Sequence, residues 1–196
     1  MDQALSVIAS EGLDRLSLRE VARRLGVSHQ APYKHFPSRD HLLSEVIRRC
    51  LNRFAVVLRE SGLGKDGAPL APEQAMRGIG EAYLGYAARH PLEYRLMFNT
   101  RWPDAAHELG LAEDATAAFG VLRDRIAALR PDFSEETLDM QAMFIWSAMH
   151  GVVSVIESDA MRHLSFDEDK ARAAVDHVMA QIDMAVFGRD LSGDDG

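Results

Sequence analysis

One cysteine, two tryptophans and seven prolines in 196 residues leave little material for several kinds of chemistry. Cys50 stands alone, so no internal disulfide can form, and a reducing cytoplasm is the simplest home. It falls on the apolar stripe of an expected helix and reads as a core residue. The chain has no C-x-x-C, no H-E-x-x-H, no glycine-rich phosphate loop and no G-x-S-x-G. Catalysis is therefore not expected, and neither is a cofactor. A signal peptide and a membrane span are not expected either. The longest uncharged run, residues 140–156, carries Gln141, Ser147, His150 and Ser154, which suits a buried interface helix better than lipid.

Positive charge is also scarce. The net charge is −8, which looks unfavourable for a nucleic-acid partner until it is divided. Residues 1–50 hold eight Arg or Lys against six Asp or Glu, and the remainder holds fourteen against twenty-four. An acidic bulk repels phosphate, so any DNA contact belongs to the amino-terminal end. A few accurately placed cations suit sequence-specific binding better than a general coat.

That amino-terminal end has the pattern of a helix-turn-helix. Ser17 and Glu20 read as an S-x-x-E capping box. Leu18, Val21, Ala22 and Leu25 repeat at helical spacing and predict one buried face. Gly26 stands where a helix leaves through a left-handed residue, and Val27 is expected to plug the turn. Ser28 is expected to cap a second helix whose outward residues are His29, Gln30, Tyr33 and Lys34. Two short helices around a tight glycine turn match the shape that lays its second helix in a major groove.

These residues resemble a known family. L-S-L-R-E-V-A-R-R-L-G-V-S, followed by A-P-Y-K-H-F-P-S-R-D-H-L-L, is similar to the DNA-binding domain of TetR-type repressors, with Tyr33, His35, Phe36, Arg39 and Leu42–Leu43 at the family spacing. The resemblance implies that Ser17, Arg19, Ser28, His29, Gln30, Ala31, Tyr33, Lys34 and His35 form the DNA-binding surface. His29, Gln30 and Ala31 suit base edges, and Tyr33 and Lys34 suit phosphates. Arg19 suits either. Such chains usually carry a basic arm before the first helix. Here the first helix is expected almost at Met1, so arm contacts are absent or were removed.

The rest reads as helix throughout, giving an all-α fold. We expect a helix-turn-helix domain over residues 1–48 and a helical ligand-binding and dimerisation domain over 49–196. In the first helix, Asp2 to Glu11, Leu5, Ile8 and Ala9 share a side. Ser38 is expected to cap a helix to about Arg59 with the stripe Leu42, Leu43, Val46, Ile47, Cys50, Leu51, Phe54, Val57 and Leu58. Residues 61–71 form the one Gly/Pro-rich break and the clearest flexible loop. Further helices are expected from Pro72 to Arg89, Leu92 to Phe98, Ser134 to Ser158, and from a Ser165/Glu168 capping box to Phe187, and Asp104 to Leu129 is expected to be mostly helical around Gly110. The tail LSGDDG is expected to be disordered.

The last two helices have more apolar surface than a small body needs, which predicts a homodimer. TetR-like proteins dimerise through this pair. A two-fold dimer implies a palindromic double-stranded operator with half-sites about 34–36 Å apart. A second, six-residue resemblance lies in W-S-A-M-H-G, Trp146 to Gly151, which is similar to the W-x-x-x-H-G signature of one TetR ligand-domain subclass. Trp146 and His150 share one helix face and present a polar pair either to a small-molecule effector or to the core. Tyr83, Met97, Phe98, Trp102, Phe119 and Met143 are the other candidate ligand-binding residues, with Tyr86 and Phe144 as further wall candidates. Gly151 suggests close packing or a bend. The function expected is a ligand-responsive transcription repressor. The alternative is a helical adaptor, or a metal-binding protein using His150, His163 and His177, with no DNA activity.

Overall fold

The computed structural model describes residues 2–158 and 167–188. The described residues form eight α-helices: α1 (Asp2–Glu11), α2 (Leu18–Leu25), α3 (Arg39–Glu60), α4 (Pro72–Arg89), α5 (Pro91–Phe98), α6 (Leu111–Leu129), α7 (Glu135–Ile156) and α8 (Glu168–Phe187). Among them no strand occurs beyond one isolated bridge, Leu63 to Pro69, and no helix is long and apolar enough to cross a membrane.

Packing divides the chain into two compact units. One consists of Met1–Ala55 with His90–Ala118, the other of Val56–Arg89 with Phe119–Gly196. The first unit takes in most of α3 together with α5. The physical reason is visible inside the first unit. The Arg53 guanidinium on α3 donates to the Glu93 carboxylate on α5 at 2.6 Å, and Phe54 meets the edge of Phe98 at 5.8 Å. Tyr94 stacks at a tilt on the same Phe98 at 4.8 Å. Cys50 is 2% exposed. Burial is the main cause that pushes its thiol up to about 12, as suits an inert core residue.

The amino-terminal helices form where their caps and stripes predict, with instructive differences. Ser17 Oγ accepts from Glu20 N–H at 3.1 Å. The box is only half made, because the Glu20 carboxylate turns to Arg23 Nε at 2.8 Å and Arg24 Nε at 3.0 Å. Arg24 also reaches Glu11 and the hydroxyls of Ser6 and Ser10, joining α2 to α1. Gly26 ends α2 in the left-handed region at φ 67. The Val27 N–H closes the turn on the Ala22 carbonyl at 3.1 Å, the bond of a Schellman exit. Val27 itself is exposed and plugs nothing, and Leu25 is 53% exposed. An eight-residue helix buries only its first turn and a half, and Leu25 lies past it. In α1 the inward residues are Ala4, Val7 and Ile8, and Ala9 is exposed. The expected face was thus turned by about one position.

Two further segments take definite form. Residues 61–71 form a hydrogen-bonded loop. Gly64 N–H donates to Ala68 at 2.8 Å, Leu70 N–H to Gly62 at 2.9 Å, and Gly67 supplies the positive φ of 78 that the tight turn requires. The 104–129 segment splits at Gly110, φ 69, leaving a short 3-10 turn before α6. At α8, Asp167 accepts from Lys170 N–H at 2.9 Å as the cap. Ser165, the tail LSGDDG and His163 lie outside the described residues.

The Glu20 pairing has a pH signature. Arg23, then Arg24, hold its carboxyl down from 4.5 to about 2. A depressed acid contributes stability that is full above its unfolded value and fades as pH falls toward the folded one. Glu20→Gln should therefore lower the urea midpoint at pH 7. The gap to the parent chain should narrow between about pH 4.5 and 2. A gap independent of pH would show that the carboxylate charge is not what these bonds depend on.

Candidate functional site

The segment after α2 is not a regular α-helix. Ser28 carbonyl accepts from Ala31 N–H at 3.0 Å, and a 3-10 turn follows over Pro32–Lys34. Pro32 explains this. It is buried and has no N–H, so it cannot return the i+4 bond that Ser28 would need. Ser28 therefore closes a turn through its backbone and does not cap a helix with its hydroxyl. Phe36 N–H donates to Pro32 at 2.9 Å, so one α-type bond ends the segment. Ser38 then caps α3, accepting from His41 N–H at 3.2 Å. Arg39 reaches back, its Nε to Leu16 carbonyl at 3.0 Å and its Nη2 to Leu13 carbonyl at 2.9 Å. These bonds fix the start of α3 against the turn before α2.

Four of the nine expected DNA-binding residues come together. Arg19, His29, Gln30 and Tyr33 line one open concavity on the first unit. Ser28, Lys34 and His35 are exposed outside its lining. Ser17 and Ala31 are half-buried, and Ser17 Oγ is occupied by its cap bond. Arg23 and Arg24 spend their charge on Glu20 and Glu11. Arg19 and Lys34, by contrast, have no ion pair among the described residues. Their cations remain for an anionic partner.

The second unit holds an apolar cavity of about 30 Å³. Leu58 closes it at the end of α3, and α4 contributes Met76, Ile79, Gly80 and Tyr83. Leu122 comes from α6, Ile145, Trp146 and Met149 from α7, and Met179, Ile182 and Asp183 from α8. Trp146 meets Tyr83 edge-on at 5.7 Å and Phe119 at a tilt at 5.7 Å. Of the expected ligand residues, Tyr83 and Trp146 line the cavity, with Phe119 against the indole. His150 lies beside the lining, its Nε2 3.3 Å from Ser154 Oγ, and burial pushes its pKa below the ordinary value.

The remaining candidates lie elsewhere. Met97, Phe98 and Trp102 belong to the first unit, where Trp102 Nε1 donates to the Met97 carbonyl at 3.1 Å. Tyr86 is fully buried and is not a lining residue. Met143 and Phe144 are 53% and 48% exposed and lie with Met140 and Val155 along one outer stripe of α7. A helix apolar almost all round gives no phase from which to choose its inner face. The residues that sequence reasoning missed include Met76, Ile79, Gly80 and Asp183. The signal for the first three was a stripe at i, i+3 and i+4, ending in Tyr83 at i+7, with a glycine inside it.

The reading segment and its neighbours match a family model for bacterial regulatory proteins of the tetR family over residues 1–46. A tetracyclin repressor-like carboxy-terminal domain matches over residues 76–182, more than half of the chain. The chain belongs to the TetR family. An uncharacterized HTH-type transcriptional regulator of Mycobacterium tuberculosis is 27% identical over 168 residues, covering 85% of this chain and 72% of that protein. A protein with unknown function from Rhodococcus sp. RHA1 shares the fold at TM-score 0.73 and 24% identity, over 96% of this chain and 92% of that one. The fatty acid degradation regulator FadR of Bacillus halodurans shares it at TM-score 0.67 and 17% identity, over 92% and 91%. As a TetR-family protein this chain is a DNA-binding transcriptional regulator and not an enzyme.

The reading surface gives a separable pair of expectations. Lys34→Ala should weaken binding to every duplex and reduce the salt slope by about one unit. Gln30→Ala should cost about 1–3 kcal/mol and relax preference at one base pair. Titrations of a selected duplex at several salt concentrations distinguish the two. Unchanged affinity and slope for Lys34→Ala would remove that residue from the phosphate contacts.

Proposed function

We propose that the chain is a cytoplasmic homodimeric repressor that leaves a palindromic operator when a small molecule enters its second unit. The observation that carries this reading is the concavity lined by Arg19, His29, Gln30 and Tyr33, exposed on a turn built around Pro32. Gln30 and His29 read base edges, Tyr33 and Lys34 hold phosphate, and Arg19 takes either. Residues 1–48 act as the DNA-reading domain and 49–196 as the effector and dimerisation domain.

The dimer face is the outer stripe of α7, continued by Met184 on α8, which is 38% exposed. Large apolar side chains so exposed at helical spacing favour a partner surface. Gly151 supports the same face. Among the described residues a Cβ there would meet nothing within 4 Å, so no contact among them requires the glycine. It would let a second α7 approach closely. We also assign the carboxy-terminal part to the W-x-x-x-H-G subclass, with Trp146 walling the cavity and His150 held by Ser154.

Selection from a random duplex pool should return a two-fold sequence with half-sites about 10 base pairs, or a multiple of that spacing, apart. Enrichment of no sequence would overturn the repressor reading. For assembly, Phe144→Glu should give a monomer in light scattering and lose operator binding. The mutated residue is exposed, so thermal stability of the isolated chain should change little. A dimeric Phe144→Glu protein would move the interface elsewhere.

A further inference from the structure

We propose that the effector of the second unit is an amphiphilic monocation, an ammonium-type head on an apolar body. The inference rests on the reading of this cavity as the effector site. Asp183 is the only charged side chain in the lining. Beside it, Trp146 and Tyr83 supply aromatic rings, and three methionines complete a wall otherwise aliphatic. A carboxylate in apolar surroundings is a strong selector, because a charge entering there loses water and needs an opposite charge in return. Aromatic faces reinforce the choice, since their quadrupoles attract cations. An anionic head of the fatty-acid type would meet Asp183 without a compensating lining cation. Asp183 already interacts within the protein. A carboxylate has about four acceptor sites, so a ligand ammonium adds to what it does there.

The cavity as it stands, about 30 Å³, is far below the ~300–1,000 Å³ of drug-sized sites. A lining side chain, Met179, limits it. A Cβ on Gly80 would stand 2.5 Å from Met179 Cε and 3.2 Å from its Sδ, so Met179 lies directly on the α4 backbone. Only glycine allows that approach. Methionine has three rotatable bonds and refits readily. Met179 is thus a removable plug, and its neighbour four positions on, Asp183, faces the room it would vacate. The ligand body takes the place of the thioether and its cation meets the carboxylate.

Three probes with one body decide the question: 4-phenylbutylammonium, 4-phenylbutanol and 5-phenylpentanoate, titrated against the full chain by calorimetry and Trp fluorescence. The ammonium should bind at least tenfold more tightly than the alcohol, and the carboxylate most weakly. Asp183→Asn should remove the advantage of the cation over the alcohol, and Asp183→Glu should keep it. Met179→Ala should tighten the alcohol and the ammonium alike. Equal binding of the three, preference for the carboxylate, or no binding by any would overturn the inference. So would an unchanged order in Asp183→Asn. Where Asp183→Asn does not fold, the order in the parent chain remains decisive. Operator release is read on the same samples. A cation that binds with the expected order yet leaves the operator complex intact overturns the effector reading while the cation site stands.

Discussion

The buried face of α3 is the constraint on which the reading surface depends. Leu42, Leu43, Val46, Ile47, Cys50, Leu51 and Phe54 are each 3% exposed or less. Burying one such aliphatic or aromatic side chain is worth about 1.5–3 kcal/mol, so this one stripe outweighs every ion pair on the unit surface. What it stabilises is a platform. Arg39, at the first position of α3, donates to the Leu13 and Leu16 carbonyls. It thereby ties the turn before α2 to the helix that carries this buried stripe. The 28–38 segment is then closed at its far end by the Ser38 cap and at its near end by the Gly26 exit. A segment with few bonds of its own is held in shape by its two ends.

This arrangement explains why so much of the first unit was legible in the sequence and why the central element was not. Caps are local, and Ser17, Gly26 and Ser38 each do what their residue type dictates. The reading element depends on an absence, the missing N–H of Pro32. The Ser28 cap and the glycine turn predict a helix there, and Pro32 converts its first turn. The outward residues Arg19, His29, Gln30 and Tyr33 still gather, because a turn followed by a 3-10 helix displays neighbours on one side much as a helix does. Leu25 and Val27 show the opposite failure. Periodicity assigns Leu25 to a face and the turn is expected to hold Val27, but the chain turns away at Gly26 and both are exposed.

The second unit was legible in kind and not in detail. Helix type and length are set by composition, and α4 and α7 lie almost where expected. Which side of α7 faces inward cannot be read from a helix whose apolar residues surround it. Ile145, Trp146 and Met149 line the cavity, while Met140, Met143 and Phe144 lie outside. Both sets are apolar because two different surfaces compete for one helix. The inner set lines a cavity, and the outer set is about half exposed or more among the described residues. Aromatic type alone gave no discrimination either. Phe98 and Trp102 are structural in the first unit, Phe98 through its rings with Phe54 and Tyr94, and Trp102 through its bond to Met97.

The small cavity carries a consequence for mechanism. A ligand that filled a ready-made hole would bind two conformations of the unit almost equally, and equal affinity shifts no equilibrium. A hole of about 30 Å³ leaves no such option. An effector that displaces Met179 from Gly80, as proposed, discriminates between the filled and the emptied arrangement. Methionine makes this exchange cheap, because the plug loses contacts comparable to those the ligand body regains. A rigid plug such as a phenyl ring against Gly80 would raise the cost of opening and blunt the response. A smaller one would leave the cavity open from the start, and ligand binding would then say nothing to the rest of the unit. On the proposed reading, Gly80 and Met179 together set how much of a ligand's affinity becomes conformational change.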